Sequence, residues 1–267
     1  MRAGGVHVEN DVLAAQFSVT DAEREVAGLL PIGVDPEAAR ATIAAVPFWF
    51  HTFALNPAAG IYTPGAARDH RYRVALLPAD FAGMRVLDVG TFDGFYAFLA
   101  EHRGAERVLA VDNEQYRLWV AARWGVELEG GAGFRAIHRL LSSRVTYRRM
   151  DAFALADLGE RFDLVFCFGI LHRVENPLGL LRVLRTVVRG GGMVLIETYG
   201  LGPEDRDGPA IRVSEPGEVY ARDEFVYWGF GRMGLERLTR IAGFDRTESL
   251  ATATVGGHPR ILGRVIA

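Results

Sequence analysis

The fold is decided by the stretch Arg85-Val86-Leu87-Asp88-Val89-Gly90-Thr91-Phe92-Asp93-Gly94-Phe95. It reads as a short apolar strand, followed by a tight turn of glycines and acids, and then by the start of an apolar helix. Glycine lets the backbone adopt positive φ and lets a ligand come close. The first turn of a helix adds unpaired N–H groups and partial positive charge. The stretch therefore predicts a ligand site between a strand and a helix.

The residues after the first glycine favour one class of ligand. In the dinucleotide fingerprint Gly-x-Gly-x-x-Gly, the second glycine lets the backbone approach a pyrophosphate. Phe92 stands at that second place and Ala97 at the third, and a bulky ring argues against a pyrophosphate. A second apolar run ends in Asp112, and an acid about twenty residues after the glycines suits a ribose diol. S-adenosylmethionine, a nucleoside with an amino-acid tail and no phosphate, fits these features.

Five motifs in order make the chain resemble the class I S-adenosylmethionine-dependent methyltransferases. The resemblance extends from about residue 86 to the C-terminus. Within the class, the segment 169–178 and the aromatic residues before the first strand look most like the branch of the tRNA wobble-uridine carboxymethyltransferases. The matching motifs are 87–94, 111–112, 150–153, 162–169 and 190–197.

The resemblance implies an α/β fold with a Rossmann-like, doubly wound sheet of seven mostly parallel strands, the last strand being antiparallel. The unbroken apolar run 162–168 is typical of a parallel strand buried on both faces. We expect residues 1–80 to form a helical N-terminal arm with an aromatic lid, 47–53, that folds back over the cofactor cleft. Residues 81–267 are expected to form the methyltransferase domain, with a long loop at 200–222.

Composition and charge narrow the classes of function. With 49% hydrophobic residues among 267, the chain can form a packed core, and its net charge of -3 gives no global basic field, which argues against nucleic acid as a partner. The single cysteine, Cys167, permits no internal disulfide and suits the cytoplasm. No apolar run approaches the ~20 residues of a membrane span, and the start lacks the apolar core of a signal peptide. We expect a cytoplasmic protein without membrane contact, for which a homodimer is one allowed state.

The resemblance also assigns cofactor contacts. Asp112 is expected to bind the ribose, Asp151 the adenine amino group, and one of Asp88 and Asp93 the methionine ammonium. Alternatively, Asp93 is an ordinary helix N-cap, and Phe92 either walls the methionine pocket or packs beneath the turn. The expected cofactor-binding residues are Asp88, Gly90, Thr91, Phe92, Asp93, Gly94, Asp112, Asn113, Asp151, Ala152, Phe168 and Gly169.

His172 is the candidate catalytic base, because it follows a strand whose carboxyl end should face the ligand. Histidine titrates near neutrality, and a general base helps if the acceptor is a hydroxyl. Glu197, Tyr199 and His51 are lesser candidates for this base. Alternatively, His172 packs under the lid, and an amine or activated carbon acceptor needs no base. No group of residues has metal-ligand spacing, so no metal is expected. The expected substrate-binding residues are Phe50, His51, Tyr62, Glu197, Tyr199, Tyr227 and Trp228.

Three hypotheses about function follow. The first is methyl transfer from S-adenosylmethionine, which yields S-adenosylhomocysteine, to a small molecule of secondary metabolism, with oxygen favoured over nitrogen. The second is a tRNA-modifying methyl- or carboxymethyltransferase, although the relatives have a tyrosine where His172 stands here. The third is a catalytically silent cofactor-binding partner subunit, for which Phe92 is the only support.

Overall fold

A seven-stranded sheet forms the centre of the computed structural model, which describes residues 18–219, 223–255 and 257–267. In chain order the strands are β1 (Ala54–Asn56), β2 (Ile61–Tyr62), β3 (Arg85–Val89), β4 (Arg107–Asp112), β5 (Thr146–Arg149), β6 (Phe162–Phe168), β7 (Val188–Tyr199), β8 (Ile211–Val213), β9 (Trp228–Phe230), β10 (Arg246–Val255) and β11 (His258–Ile266).

The α-helices separate most of these strands, as expected for crossover connections between parallel strands. They are α1 (Asp21–Ala27), α2 (Pro36–Ala44), α3 (Arg71–Val74), α4 (Phe95–His102), α5 (Tyr116–Trp124), α6 (Ala132–Leu141), α7 (Pro177–Val187) and α8 (Arg232–Ile241). Short 3₁₀ helices occur at Pro57–Ala59, Ala152–Leu158 and Leu171–Arg173.

The strand order in the main sheet is β10-β11-β7-β6-β3-β4-β5. The five strands from β7 to β5 in this order are parallel neighbours. Strand β11 runs antiparallel to both β7 and β10. The predicted fold class is therefore confirmed, including the antiparallel last strand. The carboxyl ends of the parallel strands meet at one edge of the sheet, which is where ligands bind in open α/β sheets.

The N-terminal arm packs into the core of the sheet. Trp49, Phe53 and Leu55 belong to the same buried cluster as Val86 of β3 and Phe95 of α4. Burial of each such side chain contributes about 1.5–3 kcal/mol. The arm thus shares a core with the domain it covers, and the division at residue 80 stays a prediction.

The region after β7 contains more regular structure than predicted. Residues 200–222 were expected to form a loop, but β8 lies within them and pairs antiparallel with β9. Ile211 and Val213 are β-branched and favour a strand, although all three residues of β8 are exposed. The last three residues of this region, 220–222, lie outside the described residues.

Candidate functional site

A glycine turn, residues 90–94, joins β3 to α4. Gly90 and Gly94 both have a left-handed backbone, with φ of 75° and 88°. A Cβ atom at Gly90 would overlap the side chain of Ile170, which lies over the turn. Glycine is therefore required here both for the backbone conformation and for space.

Asp88 braces the glycine turn from inside. Its side chain is buried and accepts a hydrogen bond of 2.6 Å from Thr91 Oγ1. Burial raises the pKa of Asp88 to about 7 despite this bond, and the nearby Asp112 adds to the rise. A cation next to Asp88 would favour its charged form. Its predicted contact with the methionine ammonium stays a prediction.

Asp112 ends β4 with its carboxylate against the glycine turn. Oδ2 accepts from the backbone N–H of Phe92 at 2.9 Å, and Oδ1 accepts from that of Glu114 at 2.7 Å. Burial raises the pKa of Asp112 to about 6, so it is ionised at neutral pH. An ionised carboxylate has about four acceptor sites. Each oxygen of Asp112 therefore keeps capacity for one hydroxyl of a ribose diol.

A second polar pair follows at the ends of β4 and β5. The Asn113 amide donates to Asp151 Oδ2 at 3.3 Å, and Asp151 Oδ1 accepts from the backbone N–H of Phe153 at 2.8 Å. Asn113 and Asp151 are exposed, and Ala152 starts the 3₁₀ helix that follows. The structure thus groups three of the predicted nucleoside contacts, Asp112, Asn113 and Asp151, at one edge of the sheet.

Phe92 adopts φ of 54°, a left-handed conformation that favours glycine. Its ring is stacked between Phe50, with a centroid distance of 4.7 Å, and Tyr116, with a centroid distance of 3.8 Å. The ring is buried, so it packs within an aromatic stack above α5 rather than pointing into solvent. Aromatic pairs add about 0.5–1.5 kcal/mol each, enough to offset the left-handed backbone cost of about 1–2 kcal/mol.

The aromatic segment 47–53 is fastened to the glycine turn by Asp93. Its Oδ2 accepts from the backbone N–H groups of Phe50 and His51, at 2.8 and 2.9 Å, and its Oδ1 bonds His51 Nδ1. The alternative role of Asp93 as a helix cap is wrong, because the N-cap of α4 is Gly94 and no side chain caps it. Asp93 already binds three donors, so Asp88 is the stronger candidate for the ammonium.

The ends of β6 and β7 carry a buried charged cluster. The backbone N–H of Gly169, which follows Phe168, donates to the Glu197 carbonyl at 2.9 Å. The Glu197 carboxylate is fully buried and pairs with Arg73 at 2.8 Å and with Arg260 at 3.3 Å. Sequence reasoning predicted Glu197 but missed both arginines. No local pattern marks them, because Arg73 is 124 residues away from its partner.

His172 lies beside this cluster and is almost fully buried. Its Nδ1 is 3.3 Å from Thr198 Oγ1, and its ring contacts Tyr199 edge-on at 4.8 Å. Burial lowers the pKa of His172 well below its usual value, and nearby arginines lower it further. His172 is therefore neutral at physiological pH, and its surroundings disfavour the imidazolium. Its predicted role as the base stays a prediction.

The other predicted substrate residues are divided between two places. The backbone N–H of Tyr227 donates to the His172 carbonyl at 2.9 Å, and Trp228 Nε1 donates to the Val174 carbonyl at 2.8 Å. These two residues therefore close over the segment after β6. Tyr62 lies on β2, where Arg24 packs over its ring, so the structure does not group it with the strand-end residues.

Within the described part of the chain, no group of three or more histidine, cysteine, aspartate or glutamate residues could hold a metal ion. No helix in those residues combines the length and the apolar character that a membrane crossing requires.

The chain matches the sequence profile of a family described as Methyltransferase domain over residues 62–248. It is also similar to the tRNA U34 carboxymethyltransferases of Campylobacter hominis, with 29% identity over 126 residues, and of Idiomarina loihiensis, with 29% identity over 160 residues. The matched regions cover 47% and 58% of this chain, but only 40% and 44% of those proteins. The chain thus spans less than half the length of these two relatives.

Solved structures share the fold. The N-terminal domain of EvdMO1 with SAH bound has a TM-score of 0.62 and 21% identity, covering 88% of this chain and 98% of that one. An S-adenosylmethionine-dependent methyltransferase from Mesorhizobium loti has a TM-score of 0.55 and 18% identity, covering 76% of this chain and 99% of that one. At these identities the likeness concerns the fold, and it agrees with the sheet described above.

Proposed function

The chain belongs to the family described as Methyltransferase domain, and we propose that it uses S-adenosylmethionine to methylate a small molecule of secondary metabolism in the cytoplasm, with oxygen favoured over nitrogen as the acceptor atom. The observation that carries the proposal is Asp112, whose carboxylate is held against the glycine turn by two backbone donors. An acid so placed has two oxygens ready for a ribose diol. No metal takes part in the proposal.

The residues present fit this cofactor. Asp112 would hold the ribose, Asn113 and Asp151 the adenine edge, and Asp88 the ammonium. The left-handed Gly90 lets the backbone come close to the ligand. When bound, the cofactor supplies an activated methyl group on a positively charged sulfur. The protein must then align the acceptor and exclude water, and alignment can supply about 7–11 kcal/mol of the barrier.

Burial at the acceptor side supports a small molecule. Glu197, His172 and Tyr199 are all nearly inaccessible to solvent, and Trp228 and Tyr227 lie over the same segment. A ligand that reaches these groups must enter an enclosed space. EvdMO1, a structural neighbour, was crystallised in the presence of SAH and D-fucose, a hydroxylated small molecule. This makes sugars a sensible first set of acceptors to test.

The acceptor can be found by incubating the protein with S-adenosylmethionine that carries a labelled methyl group and with a metabolite extract. Mass spectrometry then identifies the labelled product and the mass of the group added. Label in a low-mass compound supports the proposal. If calorimetry shows no cofactor binding, the proposal is rejected together with the hypothesis of a silent cofactor-binding subunit. Cofactor binding without transfer to any acceptor would favour the silent subunit.

A tRNA-modifying activity is the second candidate, because the curated relatives are named tRNA U34 carboxymethyltransferases. Its test is binding to tRNA over a range of salt concentrations. Affinity that falls steeply with salt indicates contacts to phosphates. Transfer of label to RNA, or a product with the mass of a carboxymethyl group, would replace the first proposal by this one.

A further inference from the structure

A histidine–aspartate pair lies where the aromatic segment meets the glycine turn. His51 is 3% exposed, and its Nδ1 bonds Asp93 Oδ1. The other oxygen of Asp93 accepts two backbone N–H groups, those of Phe50 and His51. The carboxylate therefore has a fixed position, and it in turn holds the imidazole in one orientation.

This contact decides which nitrogen of His51 carries the proton. An ionised carboxylate only accepts hydrogen bonds, so Nδ1 must be the donor. In the neutral ring the lone pair then resides on Nε2. Nε2 of His51 is buried and has no hydrogen-bond partner within the described residues. A buried acceptor of this kind is normally satisfied by a ligand atom or water.

The pair lies close to the strand ends that form the candidate site. The His51 ring is 5.4 Å from that of Tyr96, and the Tyr96 ring is 4.9 Å from that of Phe168, the last residue of β6. His70 packs against both residues, with its ring 5.6 Å from that of His51 and its Nδ1 2.8 Å from the Tyr96 hydroxyl. The titratable groups that face His51 are thus Asp93, His70 and Tyr96.

We propose that His51, oriented by Asp93, is the catalytic base that takes the proton from the acceptor hydroxyl; this rests on the proposed transfer to oxygen. The hydroxyl O–H bond breaks, and its proton moves to Nε2. The acceptor oxygen bonds the methyl carbon as the carbon–sulfur bond breaks, and that electron pair stays on the sulfur. Asp93 stabilises the imidazolium, which later releases the proton to solvent.

His172 is the less favourable of the two histidines for this role. Its Nδ1 contacts the Thr198 hydroxyl rather than a carboxylate. Burial is the main cause of the lowered pKa of His172, and the nearby Arg173 and Arg260 lower it further. An imidazolium at His172 would therefore be repelled, whereas one at His51 would be paired with Asp93. Nucleophile activation by a base that a third group orients is a recurring arrangement in enzymes.

The first test needs no turnover. In protein containing ¹⁵N-labelled histidine, NMR of the side-chain nitrogens should show that His51 is protonated at Nδ1 and unprotonated at Nε2. His138 provides the matched control, because its Nε2 is 3.1 Å from the Val145 carbonyl and should carry the proton. Asp93→Asn should change the His51 signals and leave those of His138 unchanged. A proton on His51 Nε2 in the neutral wild-type ring would overturn the proposal.

The second test is kinetic and uses His51→Gln, His172→Gln and the control His138→Gln. His51→Gln should lower kcat about 10²–10⁴-fold while cofactor affinity changes only a few-fold. Any dependence of wild-type kcat on protonation of the base should disappear in this variant. Wild-type activity that survives in His51→Gln but is lost in His172→Gln would overturn the assignment. An inactive wild-type enzyme would instead refute the proposed transfer to oxygen.

Discussion

Asp112→Ala should weaken binding of S-adenosylhomocysteine about 100-fold. In the proposed site the carboxylate of Asp112 accepts one hydrogen bond from each ribose hydroxyl. A hydrogen bond to a charged group contributes about 1.5–3 kcal/mol, so two lost bonds at the lower value amount to about 3 kcal/mol. Every 1.4 kcal/mol is a tenfold change in Kd. Because the site is partly buried, solvent screening should not erase the loss.

The same substitution should leave the fold intact. It removes the acceptors of the Phe92 and Glu114 backbone N–H groups, and each buried unpaired donor costs about 1–3 kcal/mol. It also removes a carboxylate whose pKa burial raises from 3.8 to about 6. That rise means that burying the charge costs on the order of 3 kcal/mol at neutral pH. The two effects largely offset each other.

Isothermal titration calorimetry with S-adenosylhomocysteine measures the affinity, and thermal unfolding followed by circular dichroism measures the stability. Asp157→Asn is the matched control, since Asp157 is an exposed acid outside the site. It should match the wild type in both measurements. Affinity that is unchanged in Asp112→Ala, with the fold retained, would refute the ribose assignment and with it the basis of the proposed function.

Three further outcomes follow from the glycine turn. Phe92→Ala should lower the free energy of unfolding by about 3–5 kcal/mol through lost packing. Phe92→Gly should be less destabilised than Phe92→Ala by about 1 kcal/mol, because glycine relieves the left-handed backbone. If urea unfolding ranks the two variants the other way, the φ of 54° carries no strain. Asp88 has a pKa raised by burial to about 7, so its contribution to stability is present at low pH and is lost as pH rises from about 4 through 7. Asp88→Asn should remove that part of the decline in Tm, and parallel Tm–pH curves would contradict the assignment. Gly90→Ala should abolish cofactor binding in calorimetry. Adding Ile170→Ala should not restore binding, because the backbone strain at φ of 75° remains. Restored affinity would mean that only the clash with the Ile170 side chain matters.

The strand–turn–helix at 85–95 could be predicted because its signals are local. Apolar runs of strand length, glycines at a turn and an acid about twenty residues later each reflect a short-range constraint on the backbone. The resemblance carried by the ordered motifs then implied the seven-stranded, mostly parallel sheet and its antiparallel C-terminal pair, whereas the spatial order of the strands comes from the structure. The short strand β8 was missed because its three residues are too few for an alternating pattern to indicate a strand.

The role of Asp93 depends on contacts that a local sequence pattern does not predict. Its position beside Gly94 suggested either a ligand contact or a helix cap, and both roles were inferred from neighbouring residues alone. Its actual partners come from the arm, 42 and 43 residues earlier in the chain. Arg73 and Glu197 are a second example, since they meet only because the arm packs across the ends of β6 and β7. Local sequence patterns were thus enough to predict the fold class and to propose which residues face the nucleoside. Pairings between side chains far apart in sequence depend on the packing of the arm on the sheet, which no short stretch of residues encodes.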